Sequence, residues 1–100
     1  MKSQLYKALE FHQSGQLELA ISLYSEILAF DAGNANVLYL LGSACYQRGD
    51  VANGQHYLQK SLALNADNPY ALNNYALILH DSGQYQEAIS FYKKAITIKQ

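Results

Sequence analysis

Apolar side chains recur along this chain at the three- and four-residue spacings of a helix rather than in alternation. The clearest segment is the last, where Tyr85, Ala88, Ile89, Phe91, Tyr92, Ala95, Ile96 and Ile98 cover roughly half a circumference at 100° per residue. At the other end, Gln4, Ala8 and Phe11 gather on one arc, and Lys2, Leu5, Tyr6, Leu9, His12 and Gln13 gather on the opposite one. The helical segments are punctuated by glycine. Gly83-Gln84-Tyr85-Gln86-Glu87-Ala88 reads as a helix end, a tight turn and a new start. The same device lies 34 residues upstream at Gly49-Asp50-Val51-Ala52-Asn53-Gly54, and 34 further upstream at Gly15-Gln16-Leu17-Glu18-Leu19-Ala20. A fixed period of this length marks a solenoid.

In register, the repeats are Met1–Asn34, Ala35–Asn68 and Pro69–Gln100, and no insertion is needed. The pattern predicts helices at about 2–14, 17–30, 35–48, 51–64, 69–82 and 85–98. Asp31-Ala32-Gly33-Asn34 and Asn65-Ala66-Asp67-Asn68 supply the turns between repeats. Asn34 and Asn68 are candidate N-caps, with Pro69 at the first helical position. Among Gln16, Asp50 and Gln84, which precede the second helices, only Asp50 is a strong cap.

The register also aligns small residues. The eighth slot holds Ala8, Gly42 and Ala76, and the twentieth holds Ala20, Gly54 and Ala88. Small groups at both slots let two antiparallel helices approach closely. With the glycine slot and an aromatic-rich slot at Tyr24, Leu58 and Tyr92, the whole chain resembles the tetratricopeptide repeats. It departs from them at the fourth slot (Gln4, Leu38, Leu72), at a later small slot (Ile27, Ser61, Ala95) and at the repeat end, where Ala32 and Ala66 replace a proline. The resemblance implies an all-α fold, a right-handed α-solenoid of three helix-turn-helix repeats with six antiparallel helices in one domain.

It also implies where a ligand lies. In such folds one arc of the first helices resembles a concave, peptide-holding surface. Here that arc carries Leu5, Tyr6, Leu9 and His12, then Asn36, Tyr39, Leu40, Ser43 and Tyr46, then Tyr70, Asn73, Asn74, Leu77 and His80. So many large apolar groups are not an idle surface, and tyrosine suits contact with its large ring and polar tip. The alternative for any one tyrosine is that it fills space between repeats. Relatives that clamp a partner's C-terminal carboxylates use Lys, Asn and Arg at slots that hold Leu5, Leu9, Leu40, Tyr70 and Asn74 here. The expected partner is therefore a protein or peptide with apolar or aromatic anchors. The array is also similar to those preceding the catalytic domain of bacterial O-linked sugar transferases. Their asparagine ladder is matched only at Asn74, with Tyr6 and Leu40 in the equivalent slots.

Half the residues are hydrophobic and 15% charged, which argues against disorder. The seven basic and eight acidic side chains are scattered, so no footprint for nucleic acid exists. No stretch approaches a membrane span. One cysteine excludes an intramolecular disulfide; with the absence of a signal-peptide core after Met1-Lys2-Ser3-Gln4, it points to the cytoplasm. Cys45 reads as a buried, inert thiol. His12 and His80 share a slot two repeats apart, too far for a common metal. Paired carboxylates and phosphate cradles are missing, so neither an enzyme nor a cofactor is expected. The apolar face of the last helix is broader than contact with its own first helix needs, so the sequence is expected either to continue in a longer protein or to have this end covered by another molecule, self-association through Ile89, Tyr92 and Ile96 being one such cover.

Overall fold

The computed structural model describes residues 2–99. It contains α1 (Lys2–Gln13), α2 (Leu17–Phe30), α3 (Ala35–Arg48), α4 (Val51–Leu64), α5 (Pro69–Asp81) and α6 (Tyr85–Lys99). Each helix packs on its neighbours in the chain, and α3 also touches α5. The result is a solenoid of helical hairpins measuring 38 × 24 × 21 Å.

The three glycine turns are built alike. Gly15, Gly49 and Gly83 have φ of 81°, 100° and 84°, a region that a side chain resists. At each, the glycine N–H bonds back to His12, Tyr46 or His80, and the next N–H bonds to the carbonyl of Phe11, Cys45 or Leu79 at 2.8–2.9 Å. This paired closure satisfies the carbonyls left over at a helix end. The observed α1 and α5 end one residue before their expected limits. There the hydroxyls of Ser14 and Ser82 donate to the carbonyls of Phe11 and Leu79, both at 3.1 Å, and the chain turns off.

The starts follow their caps. Asn34 Oδ1 accepts from the Val37 N–H at 3.1 Å, and Asn68 Oδ1 accepts from Tyr70 and Ala71 at 2.9 and 3.2 Å behind Pro69. Asp50 accepts from the Asn53 N–H. Gln16 makes no such bond; its amide donates to Ser14, as that of Gln84 does to Ser82.

All the small slots are buried: Ala8 and Ala20, Gly42 and Gly54, Ala76 and Ala88. The middle crossing is tightest. A methyl on Gly42 would meet Leu58 Cγ at 2.9 Å and the Gly54 carbonyl oxygen at 3.0 Å; one on Gly54 would meet the Gly42 carbonyl oxygen at 3.0 Å. Larger groups close around these points: Tyr24, Ile27, Val37 and Leu41 on one side, Leu58 and Ile78 on the other. The off-pattern Ile27 is fully absorbed into this packing. Ser61, also off-pattern in chemistry, is buried and donates to the Ala35 carbonyl at 2.7 Å, so its hydroxyl is satisfied. Cys45 is buried, and burial pushes its thiol pKa up, with Asp50 adding to the effect.

Gly42→Ala is expected to lose about 1–3 kcal/mol in denaturant unfolding, because backbone and a branched carbon block the new methyl. Gly33→Ala is the control. Its surroundings are open, and stability should hold or rise by at most about 1 kcal/mol.

Candidate functional site

The face made by α1, α3 and α5 carries polar cross-links that repeat with the fold. Near the C-terminal ends of these helices, the twelfth slot of one repeat bonds to the thirteenth slot of the next. His12 Nε2 lies 2.8 Å from Gln47 Oε1, and Tyr46 donates its hydroxyl proton to Asp81 Oδ2. His12 Nδ1 lies 2.9 Å from the hydroxyl of Tyr24, which reaches over from α2. With Gln47 Oε1 as an acceptor, Nε2 carries the proton, and Nδ1 accepts from Tyr24. Toward the N-terminal ends, Asn74 donates to Ser43, and the rings of Tyr39 and Tyr70 stack at 6.5 Å and 27°. Lys99 Nζ sits 4.7 Å from the centre of the Tyr70 ring.

These contacts divide the expected groove residues. Ser43 is buried beneath Asn74, so it is a floor residue rather than a free surface. Leu5, Leu9, Leu40, His12, Tyr39, Tyr46, Asn73 and Asn74 are half-buried. Leu5 and Leu40 pack against the first core cluster, and Tyr39 and Tyr46 against the second. The space-filling alternative thus holds in part for both tyrosines, although each keeps an edge on the face. Asn36, Tyr6, Tyr70, Leu77 and His80 are exposed, Tyr6 by 62% and Tyr70 by 52%. Ile89 and Ile96 are exposed on α6, and Tyr92 is half-buried beside them.

The sequence reading did not find the pairings of Gln47 and Asp81 or the reach of Tyr24. A usable signal was present: at slots twelve and thirteen of successive repeats, each proton donor is followed 35 residues later by an acceptor.

The electrostatics follow from these contacts. Tyr46 is pushed up to about 12, first by its bond to Asp81 and then by burial. Tyr24 is also pushed up to about 12, by burial and then by Tyr39. Asp81 is held below the usual carboxylate range by the Tyr46 hydroxyl and then by His80, whose Nδ1 is 3.5 Å away. Among the described residues, no group of three or more His, Cys, Asp or Glu side chains is placed to hold a metal. No described helix is long and apolar enough to cross a membrane.

Helical hairpins stacked at a fixed period, closed by glycine and crossed at small residues, define a helical-repeat solenoid. Sequence models described as "Tetratricopeptide repeat" match residues 33–100 and 5–54, so the chain belongs to the tetratricopeptide repeat family. It is 29% identical over 96 residues to mouse Superkiller complex protein 3, covering 96% of this chain and 6% of that protein. Among solved structures, MamA superposes with a TM-score of 0.87 at 17% identity, over 98% of this chain and 57% of MamA. The first TPR of Spaghetti (RPAP3), bound to the HSP90 peptide SRMEEVD, superposes with a TM-score of 0.89 at 18% identity, over 96% of this chain and 76% of that one. The chain thus spans a small part of its curated relative and somewhat over half of MamA.

Both shifted groups of the Tyr46–Asp81 pair favour the bonded state at intermediate pH. A depressed carboxyl contributes stability above its unfolded pKa and loses it as pH falls through the folded value. A raised tyrosine contributes below about pH 10 and loses it as pH rises toward about 12. Asp81→Asn is expected to move the Tyr46 tyrosinate absorbance midpoint back toward about 10, while Tyr24 stays near 12.

Proposed function

We propose that the chain is a non-catalytic scaffold module whose α1–α3–α5 face holds an extended or helical segment of a partner protein through apolar and aromatic anchors. The observation that carries this reading is the pair of half-exposed tyrosines, Tyr6 and Tyr70, at either end of a face on which His12 and Gln47, Tyr46 and Asp81, and Asn74 and Ser43 are already engaged with one another. A ligand finds rings and the Leu77 side chain to cover. The peptide-bound RPAP3 repeats show that a neighbour of this fold takes a peptide. In this chain the slots of an acidic-tail clamp hold Leu5, Leu9, Leu40, Tyr70 and Asn74 instead. That substitution favours an apolar ligand over an acidic tail.

The substrate-presenting segment of a larger sugar transferase is a weaker reading. Its one matching asparagine, Asn74, is spent on Ser43 rather than presented to a ligand.

The test is a peptide selected from a random library against the intact chain. Tyr70→Ala and Tyr6→Ala, both at exposed positions, should each weaken its binding by about tenfold in calorimetry; Tyr6→Ala should leave the thermal midpoint unchanged, and Tyr70→Ala, which loses its stack on Tyr39, should lower it slightly. Unchanged affinity in both variants would remove the groove assignment.

A further inference from the structure

Asn53 is the one asparagine of the chain that precedes a glycine. It lies in the first turn of α4, which begins at Val51 behind the Asp50 cap. An asparagine so placed has a reaction open to it that needs no enzyme. The backbone nitrogen of the next residue can attack the side-chain amide carbon, and glycine leaves that nitrogen unshielded by any side chain.

The structure holds the two reacting groups under opposite conditions. The Asn53 side chain is exposed, so solvent reaches its amide. Gly54 is buried, and its N–H donates to the Asp50 carbonyl oxygen at 3.0 Å. Asp50 holds the asparagine as well. Its carboxylate accepts from the Asn53 N–H at 3.3 Å and from the side-chain Nδ2 at 2.7 Å. Arg48 stands 3.6 Å from the same carboxylate. Hydrogen bonds from both reacting residues therefore end on Asp50. While they last, the Gly54 N–H points along the helix toward that residue and keeps its proton. When they break, the first turn of α4 is free to rotate into the geometry of ring closure.

We propose that Asn53-Gly54 is a modification site latched by the Asp50 cap, at which opening of the first turn of α4 converts Asn53 to isoaspartate. A base from solvent takes the Gly54 amide proton, and the nitrogen attacks Asn53 Cγ. The new N–Cγ bond closes a succinimide ring, and Nδ2 leaves as ammonia with a proton from solvent. Water then adds to one of the two ring carbonyls. Cleavage of the N–Cγ bond gives aspartate. Cleavage between the nitrogen and the backbone carbonyl carbon leaves the main chain running through Cγ, as isoaspartate. One water is consumed, one ammonia is released, and nothing is oxidised or reduced.

The position makes isoaspartate disruptive. It adds a methylene carbon to the main chain directly before Gly54, and Gly54 has no slack. A methyl there would meet the Gly42 carbonyl oxygen at 3.0 Å and the Cβ and N of Tyr46 at 3.1 Å. The lengthened chain must push α4 off α3 or unwind its first turn. Tyr46 also carries the tie to Asp81 on the α1–α3–α5 face. A chemical change on α4 is thereby transmitted to that face, whether or not the face binds a peptide.

The experiment holds the intact chain in mildly alkaline buffer, native or in urea, with samples digested by trypsin over time. The peptide Gly49–Lys60 contains Asn53 and no other asparagine, so its conversion reports this site alone. Isoaspartate is identified by enzymatic methyl transfer to it from S-adenosylmethionine. Conversion should run at least about tenfold slower in the native chain than in urea. Asp50→Ala should speed the native reaction about fivefold, and Asp50→Asn, which keeps an acceptor at the cap, should stay near the wild-type rate. The isoaspartyl chain, separated after conversion, should unfold at lower urea than wild type and return the Tyr46 midpoint from about 12 toward about 10. Asn53→Asp has the product's charge without the longer main chain and should keep Tyr46 near about 12. Equal rates in native buffer and urea, or no conversion in either, would overturn the proposal. So would an Asp50→Ala rate unchanged from wild type, or an isoaspartyl chain as stable as wild type. The comparison of native and unfolded wild type decides the latch even if Asp50→Ala does not fold.

Discussion

The structure depends on how closely two helix backbones can approach. At the middle crossing, Gly42 and Gly54 each lie within reach of the other's carbonyl, with no room for a methyl group. That contact fixes the depth of the α3–α4 hairpin, and the depth decides which groups the hairpin can offer its neighbours. Leu58 sits fully buried beside it and leads the second core cluster. Ala8 and Ala20 in the first repeat, and Ala76 and Ala88 in the third, are buried at the equivalent slots. A larger residue at any of these slots would separate the helices and lower packing density through the joint.

Joints between hairpins have two layers. The deeper layer is apolar: Tyr24, Ile27, Val37 and Leu41 between the first two, and Tyr39, Leu58, Leu62 and Ile78 between the last two. The upper layer is polar and sits on the first-helix face, where His12–Gln47 and Tyr46–Asp81 tie successive helices at equivalent points. Apolar contact supplies most of the attraction but tolerates sliding. The hydrogen-bonded tips set the offset of one helix against the next, and so the spacing at which side chains on that face meet a ligand. The two ties differ in kind. The first joins neutral groups, whereas the second engages a carboxylate and responds to acid and to base.

Most of the fold was legible because the chain repeats its instructions. Gly15, Gly49 and Gly83 announce one closure, and the backbone bonds it identically each time. Asn34, Asp50 and Asn68 cap as their chemistry directs. Helix ends at Gln13 and Asp81 escaped by one residue, since a serine hydroxyl competing for a carbonyl is a local event that periodicity does not register. The face was legible as a set of residues but not as a set of partnerships. Leu5, Tyr39 and Ser43 share an arc, yet their burial depends on the tilt between repeats, which 100° steps within one helix do not contain. Tyr24 was aligned with the aromatic slot, and only the packing of α2 on α1 brings its hydroxyl to His12.

Nearly all helix-to-helix packing joins elements adjacent in the chain; the longer reaches, α3 to α5 and the His12–Gln47 tie from α1 to α3, are slight. Order can therefore spread outward from any hairpin without first closing a long loop, which makes for rapid assembly. It can also be lost in the reverse sense. α1 packs on α2, with the His12–Gln47 tie to α3 besides, and α6 packs on α5, whereas α3 and α4 each pack on two chain neighbours. Amide exchange should consequently be graded along the chain, fastest in the outer helices and slowest around the Gly42–Gly54 crossing. The protein would then breathe at its ends while its middle remains intact.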